Sequence, residues 1–163
     1  MTYSLRIIKI GLTTSIALFF TLVTLNNILD FDSDWFFVKH VLSMDTTFKH
    51  STIMWRAITS PTIQLACYYL IIVWEAITAL LCWIGSFILL INLKTTDFQF
   101  NQSKKWALIG LFLGFLLYMV GFIIIGGEWF CMWQSTVSNG QTTAGLFTSL
   151  IMFVMIVLMF QEL

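Results

Sequence analysis

Ser60–Leu93 reads SPTIQLACYYLIIVWEAITALLCWIGSFILLINL. It opens on Ser60 and Pro61, a pair suited to starting a helix. A serine hydroxyl can accept a free N–H of the first turn, and proline fits where its own missing N–H is not needed. A hydrocarbon core about 30 Å thick takes about 20 apolar residues at about 1.5 Å each, so this stretch is long enough to cross a bilayer. Glu75 stands near its middle. A carboxylate at the centre of a bilayer costs on the order of 3 kcal/mol on insertion scales, so it calls for a partner or a proton. Successive helical residues turn by about 100°, which puts Gln64, Tyr68, Ala79, Cys82 and Ser86 within about 40° of Glu75. Every one is small or polar, while the rest of the circumference is mostly Leu, Ile, Val, Phe and Trp. The stripe is therefore expected to face protein and to carry Glu75 into a bundle, about 22 Å along the helix from Ser60.

Composition sets the class. Of 163 residues, 59% are hydrophobic and only 10% charged, against about 25% charged in a soluble domain. The expected fold is all-α: a polytopic four-helix transmembrane bundle forming a single integral membrane domain over residues 1–163. Net charge is zero and no basic run is present, so nothing draws the chain to nucleic acid. Cys67, Cys82 and Cys131 show no CxxC and no Cys/His ligand spacing. They are expected as free buried thiols, with a Cys67–Cys131 disulfide as the alternative.

The spans are expected over residues 5–29, 61–93, 106–127 and 141–160. Arg6 and Lys9 precede the first apolar run, which lacks a small-x-small cleavage site and ends in Leu25-Asn26-Asn27-Ile28; it is read as a retained signal-anchor helix. The connection Asp30–Thr59 has no Gly and many aromatics. Asp34 can cap a short interfacial helix with Phe37, Val38, Val41 and Leu42 on its apolar face, and Ser51 a second one over Thr52–Thr59. The segment 94–105, KTTDFQFNQSKK, is expected as a polar connector. In the third span Gly110 and Gly114 form a GxxxG with Gly121 on the same face, a surface that lets another helix come close. On a regular helix Glu128 would share that face.

Four spans leave both termini on one side, with Arg6, Lys9, Lys94, Lys104 and Lys105; the other side holds Lys39, Lys49 and Arg56. The bias, concentrated near span ends, puts the termini in the cytoplasm and the first connection outside.

Four blocks are distinctive together: FVKHVLSMDTTF at Phe37–Phe48, MWRAITSP at Met54–Pro61, WEAITALLC at Trp74–Cys82 and GGEWFCMWQS at Gly126–Ser135. In these the chain resembles a bacterial family of predicted small integral membrane proteins, a domain of unknown function. The resemblance covers essentially the whole chain. It implies a four-helix protein of the bacterial inner membrane, and it brings no activity with it.

The chemistry then rests on residues. His40, Asp45, Arg56, Glu128, Trp129 and Gln134 fall at the outer end, where Asn26 and Asn27 also finish the first span, and Glu75 reaches toward them from within the second. These nine are expected to form one polar pocket near the periplasmic face. The alternative for Glu75 is a proton, with a bond to Gln64, Tyr68 or a neighbouring helix's amide or hydroxyl. Carboxylates, an imidazole and indole faces suit a metal ion, an amine or a quinone or lipid headgroup. No activated Ser or Cys nucleophile accompanies His40 and Asp45, so no catalytic residue is assigned. His40 and His50 lie outside the spans, which argues against haem, and no phosphate-binding glycine loop occurs; no cofactor and no metal site is expected. Three functions follow: a non-enzymatic accessory or interaction protein, a small ion, solute or lipid-headgroup carrier titrating on Glu75, or a membrane enzyme acting on a lipid-soluble substrate. The expected partners are the bilayer and a larger membrane protein or further copies of the chain.

Overall fold

The structure, a computed structural model, describes residues 2–48 and 51–162. Lys49 and His50 of the first connection lie outside the described residues. The helices are α1 (Thr2–Leu29), α2 (Phe31–Ser43), α3 (Pro61–Ile91), α4 (Asp97–Ser103), α5 (Lys105–Leu116) and α6 (Gln141–Met159). A differently wound helical stretch, Leu117–Trp129, continues α5. Tyr3–Leu29, Pro61–Ile91, Asp97–Trp129 and Gln141–Met159 are each long and apolar enough to cross a membrane. The third exceeds the expected 106–127 because part of the polar connector is helical. Thr96 caps α4 by accepting from the Gln99 amide, and Phe100 is buried.

The spans pack in a ring: α1 on α3, α3 on α5, α5 and its continuation on α6, and α6 back on α1. On α3 the stripe facing the ring is buried throughout: Gln64, Tyr68, Glu75, Ala79, Cys82 and Ser86. Against it α5 packs backbone to backbone. A Cβ added at Gly85 would stand 2.4 Å from Ala107 Cα, and one at Gly110 2.8 Å from Cys82 N. At Gly114 it would meet the Phe20 ring at 2.7 Å. Gly121 does not share this seam, since a Cβ there meets only Leu117 Cδ1, at 3.8 Å. The cause is the change of winding after Leu116. There the backbone bonds pass to an i→i+5 pattern, with Phe130 N donating to Ile125 O at 3.0 Å. The wider turn cannot keep one face of a 3.6-residue helix in line, so Gly121 and Glu128 rotate off the Gly110 face. Near the junction Trp74 Nε1 donates to Leu113 O at 3.0 Å, a side-chain donor entering the helical ladder.

The first connection also departs from expectation in part. Asp30 stands at the N-cap of α2 and Asp34 lies inside its first turn. Val38, Val41 and Leu42 are buried, as the apolar face requires. Instead of a second helix over Thr52–Thr59, only a single turn forms, Met54–Arg56. Ala57 is already extended, and so is Ser60, held out of the helical region by the proline that follows. Ile58 N donates to Leu42 O at 2.8 Å, which fastens this extended piece to the end of α2.

At the end carrying both termini, three of the five cations, Arg6, Lys9 and Lys104, are buried in protein contacts, while Lys94 and Lys105 are exposed. Arg6 donates to Leu93 O and Thr95 O, each at 2.8 Å, and to Asp97 Oδ1 at 2.6 Å. Its guanidinium lies 4.5 Å from the centre of the Phe100 ring. Lys9 is bonded to the Glu162 carboxylate, and Lys104 Nζ stands 3.5 Å from the same group. Both lysines also donate to Phe160 O, at 2.6 and 2.8 Å.

Candidate functional site

Glu75 is 2% exposed. Its Oε2 accepts a hydrogen bond from Asn27 Nδ2 at 2.6 Å, and Oε1 has no partner among the described residues. The antiparallel register of α1 and α3 explains the pairing. Asn27 is close to the end of α1 while Glu75 is in the middle of α3, so the carboxyl stands level with the end of the first span. The turns of α3 before it are flanked by α2 instead. There Tyr68 Oη donates to Asn27 O at 3.2 Å and approaches Phe31 O at 3.4 Å. At about 1.5 Å per residue α3 exceeds a hydrocarbon core about 30 Å thick, so its first turns can stand proud of that core under their helical cover.

Beside this pair lies a cavity of about 360 Å³ to which all four spans and α2 contribute. Asn26, Asn27, Asp34, Tyr68, Glu75 and Tyr118 supply its polar wall; Phe19, Phe37, Phe122 and Phe147 are among its apolar lining. Asp34, exposed at the rim, has its carboxyl pushed above the usual aspartate range, first by partial burial and then by the neighbouring charge of Asp30. Two carboxylates face the cavity, and among the described residues no Lys, Arg or His lines it.

The other residues expected in the same pocket are held elsewhere. His40 Nδ1 lies 2.8 Å from both carboxylate oxygens of Asp45. Arg56 donates to Trp129 O at 3.3 Å, with its guanidinium over the Trp129 and Trp55 rings. Glu128 Oε1 accepts from Gln141 Nε2 at 3.2 Å, and Gln134 Oε1 from the Phe48 amide at 3.1 Å. The expected single cluster is thus divided into a cavity group of Asn26, Asn27 and Glu75 and several local pairs. The division has a local cause: each loop group finds a partner next to it, and none has to reach the level of Glu75. Arg56 in particular stays on the indoles and does not fold inward. Gln64 is also occupied, donating to Ile58 O at 2.6 Å. All three cysteines are free.

Asp34 and Tyr118 join the cavity without having been legible as members. Tyr118 could have been found, because it follows Gly114 by four residues and so begins on the glycine face. For Asp34 the sequence offered a cap as the simpler role.

Four membrane-length helices around one polar cavity define a small polytopic helical membrane protein. The chain matches, over residues 5–161, the family described as "Predicted small integral membrane protein (DUF2165)", and it belongs to that family. No curated protein and no solved structure matches it.

Proposed function

We propose that the protein is a non-enzymatic accessory protein of the bacterial inner membrane that binds a small cationic, hydrogen-bond-donating group against Glu75. One observation carries this: a carboxyl that is 2% exposed keeps an oxygen unpartnered among the described residues, at the wall of a cavity whose described lining holds a second carboxylate and no basic side chain. Buried charge is tolerated when it is paired, and a bound cation is the partner that this wall lacks. The acid–base pair His40–Asp45 lies outside the cavity lining, which supports binding over catalysis. Titration calorimetry of the detergent-purified chain with ethylammonium tests it. The wild type is expected to bind, and Glu75→Gln, nearly the same size and still able to accept from Asn27, to lose binding by about tenfold or more, since the cation then meets a neutral amide. Equal binding by the two proteins would refute the assignment.

Both termini are taken as cytoplasmic and the cavity as lying toward the periplasmic face, on the strength of Arg6, Lys9, Lys94, Lys104 and Lys105 at one end. In a cysteine-free background, an impermeant thiol reagent applied to intact spheroplasts should label a cysteine placed at Ser51 and spare one at Gln99. The reverse pattern would invert the orientation.

A further inference from the structure

The cavity at Glu75 has a neighbour. Phe37, Val38, Ile71 and Phe122 line both it and a second cavity of about 320 Å³. Leu70, Leu117, Ile125 and Phe130 are among the remaining walls of the second, and no charged or amide side chain is among its described lining residues. Both are clefts open on one side, and Leu70 and Ile125 of the second are exposed. The two clefts share walls, one bearing carboxylates and the other apolar. That is the division of a ligand site in which a few polar groups orient a molecule whose bulk is held by apolar surface.

Resting on the reading of Glu75 as a cation site, we infer that the two cavities are one site for an amphiphile carrying a protonated amine. The ammonium group lies against Glu75 and Asp34, and the hydrocarbon chain passes the half-buried Phe37 into the apolar cavity behind α2. Charge selects the headgroup. Among the described residues no Lys, Arg or His lines either cavity, so a phosphate, sulfate or carboxylate would meet two carboxylates with nothing in that lining to neutralise it. A neutral carbonyl headgroup would draw nothing from a second carboxylate and would not need Glu75 ionised.

Gly121 gives a way to fill the apolar half alone. It lines the second cavity and not the first, and a Cβ there meets nothing closer than Leu117 Cδ1 at 3.8 Å. Binding of ethylammonium, hexylammonium and dodecylammonium is measured by calorimetry on the wild type, Gly121→Leu and Glu75→Gln in the same detergent. Partition into the micelle is common to the three proteins, so the differences among them report the site. In the wild type affinity should rise with chain length. Gly121→Leu should bind dodecylammonium about tenfold or more weakly while holding ethylammonium as the wild type does, and Glu75→Gln should weaken every member of the series. Unchanged dodecylammonium binding in Gly121→Leu overturns the shared site and leaves the headgroup site standing. Undiminished dodecylammonium binding in Glu75→Gln overturns the ammonium assignment in favour of a neutral headgroup. Loss of ethylammonium binding by the wild type removes both readings. Should Gly121→Leu not fold, Cys67→Leu fills the same cavity from α3 and carries the same expectations.

Discussion

At the end of the bundle that holds both termini, Lys9, Lys104 and Glu162 are 6%, 4% and 8% exposed, and each charge has an opposite charge beside it. At the other end Glu75, still less exposed, has one neutral amide and a cavity. The first arrangement spends its charges on itself. Asn101 accepts from Lys104 and from the Glu162 amide and donates to Glu162 O, so the last residues of the chain are fastened to the start of the third span. Buried ions organised in this way lock a structure and bind nothing. The second arrangement brings two carboxylates, Asp34 and Glu75, to one cavity whose described lining offers only neutral donors, from Asn26, Asn27, Tyr68, Tyr118 and Thr143. At one end the buried Lys9, Lys104 and Glu162 are all paired, although Arg6 Nε has no partner among the described residues; at the other, the unpaired carboxyl of Glu75 marks the place where something else is expected to supply the charge.

The largest expected effect comes from breaking the closed end. Glu162→Gln removes the carboxylate shared by Lys9 and Lys104 and leaves two buried ammonium groups facing each other. Stranding buried charges in this way costs about 3–5 kcal/mol. Thermal unfolding in detergent should show a large drop in midpoint, while Glu75→Gln, which strands no cation, should unfold close to the wild type. If the two substitutions destabilised equally, the contrast between a locking end and a binding end would be lost.

Much of this contrast was legible in part. The small and polar stripe of α3 turns Glu75 toward protein on sequence grounds alone, because helical period and residue size agree along that whole span. Gly110 and Gly114 were legible for the same reason. What could not be read was everything that depends on contacts between distant positions. Arg6, Lys9 and Lys104 read as orientation signals because nothing local names their partners; Glu162 is 153 residues from Lys9. Gly85 sits within an otherwise lipid-suited run, and its contact with Ala107 is set by how α3 and α5 meet. The winding of Leu117–Trp129 was likewise hidden. Apolar residues surround that stretch on every side, so no periodicity could report a change of pitch. The extrapolation of one regular helix to Gly121 and Glu128 failed at that point. The single outer pocket divided for a different reason: the pairing of His40 with Asp45 could be read from the sequence, but not that Arg56 finds the Trp129 carbonyl close enough to stay at the surface.

The smallest expected effect sharpens the comparison between the two halves of the third span, one probed from Gly85 on α3 and the other at Gly121. Gly85→Ala and Gly121→Ala add the same methyl group to helices that meet α5 or continue it. At Gly85 that methyl stands 2.4 Å from Ala107 Cα and N, both backbone atoms, so relief requires the two helices to move apart. Overpacking of this kind costs about 1–3 kcal/mol. At Gly121 the same group has only an ordinary contact at 3.8 Å with a flexible leucine end, and the change removes a glycine from a helical stretch, where glycine is the poorer helix former by about 1 kcal/mol. Gly121→Ala should therefore match or slightly exceed the wild-type midpoint of thermal unfolding in detergent, with Gly85→Ala well below both. A loss at Gly121 equal to that at Gly85 would mean that Gly121 lies on the close-packed seam after all. The i→i+5 winding would then not separate a sealed half of this span from a half that opens onto the cavities.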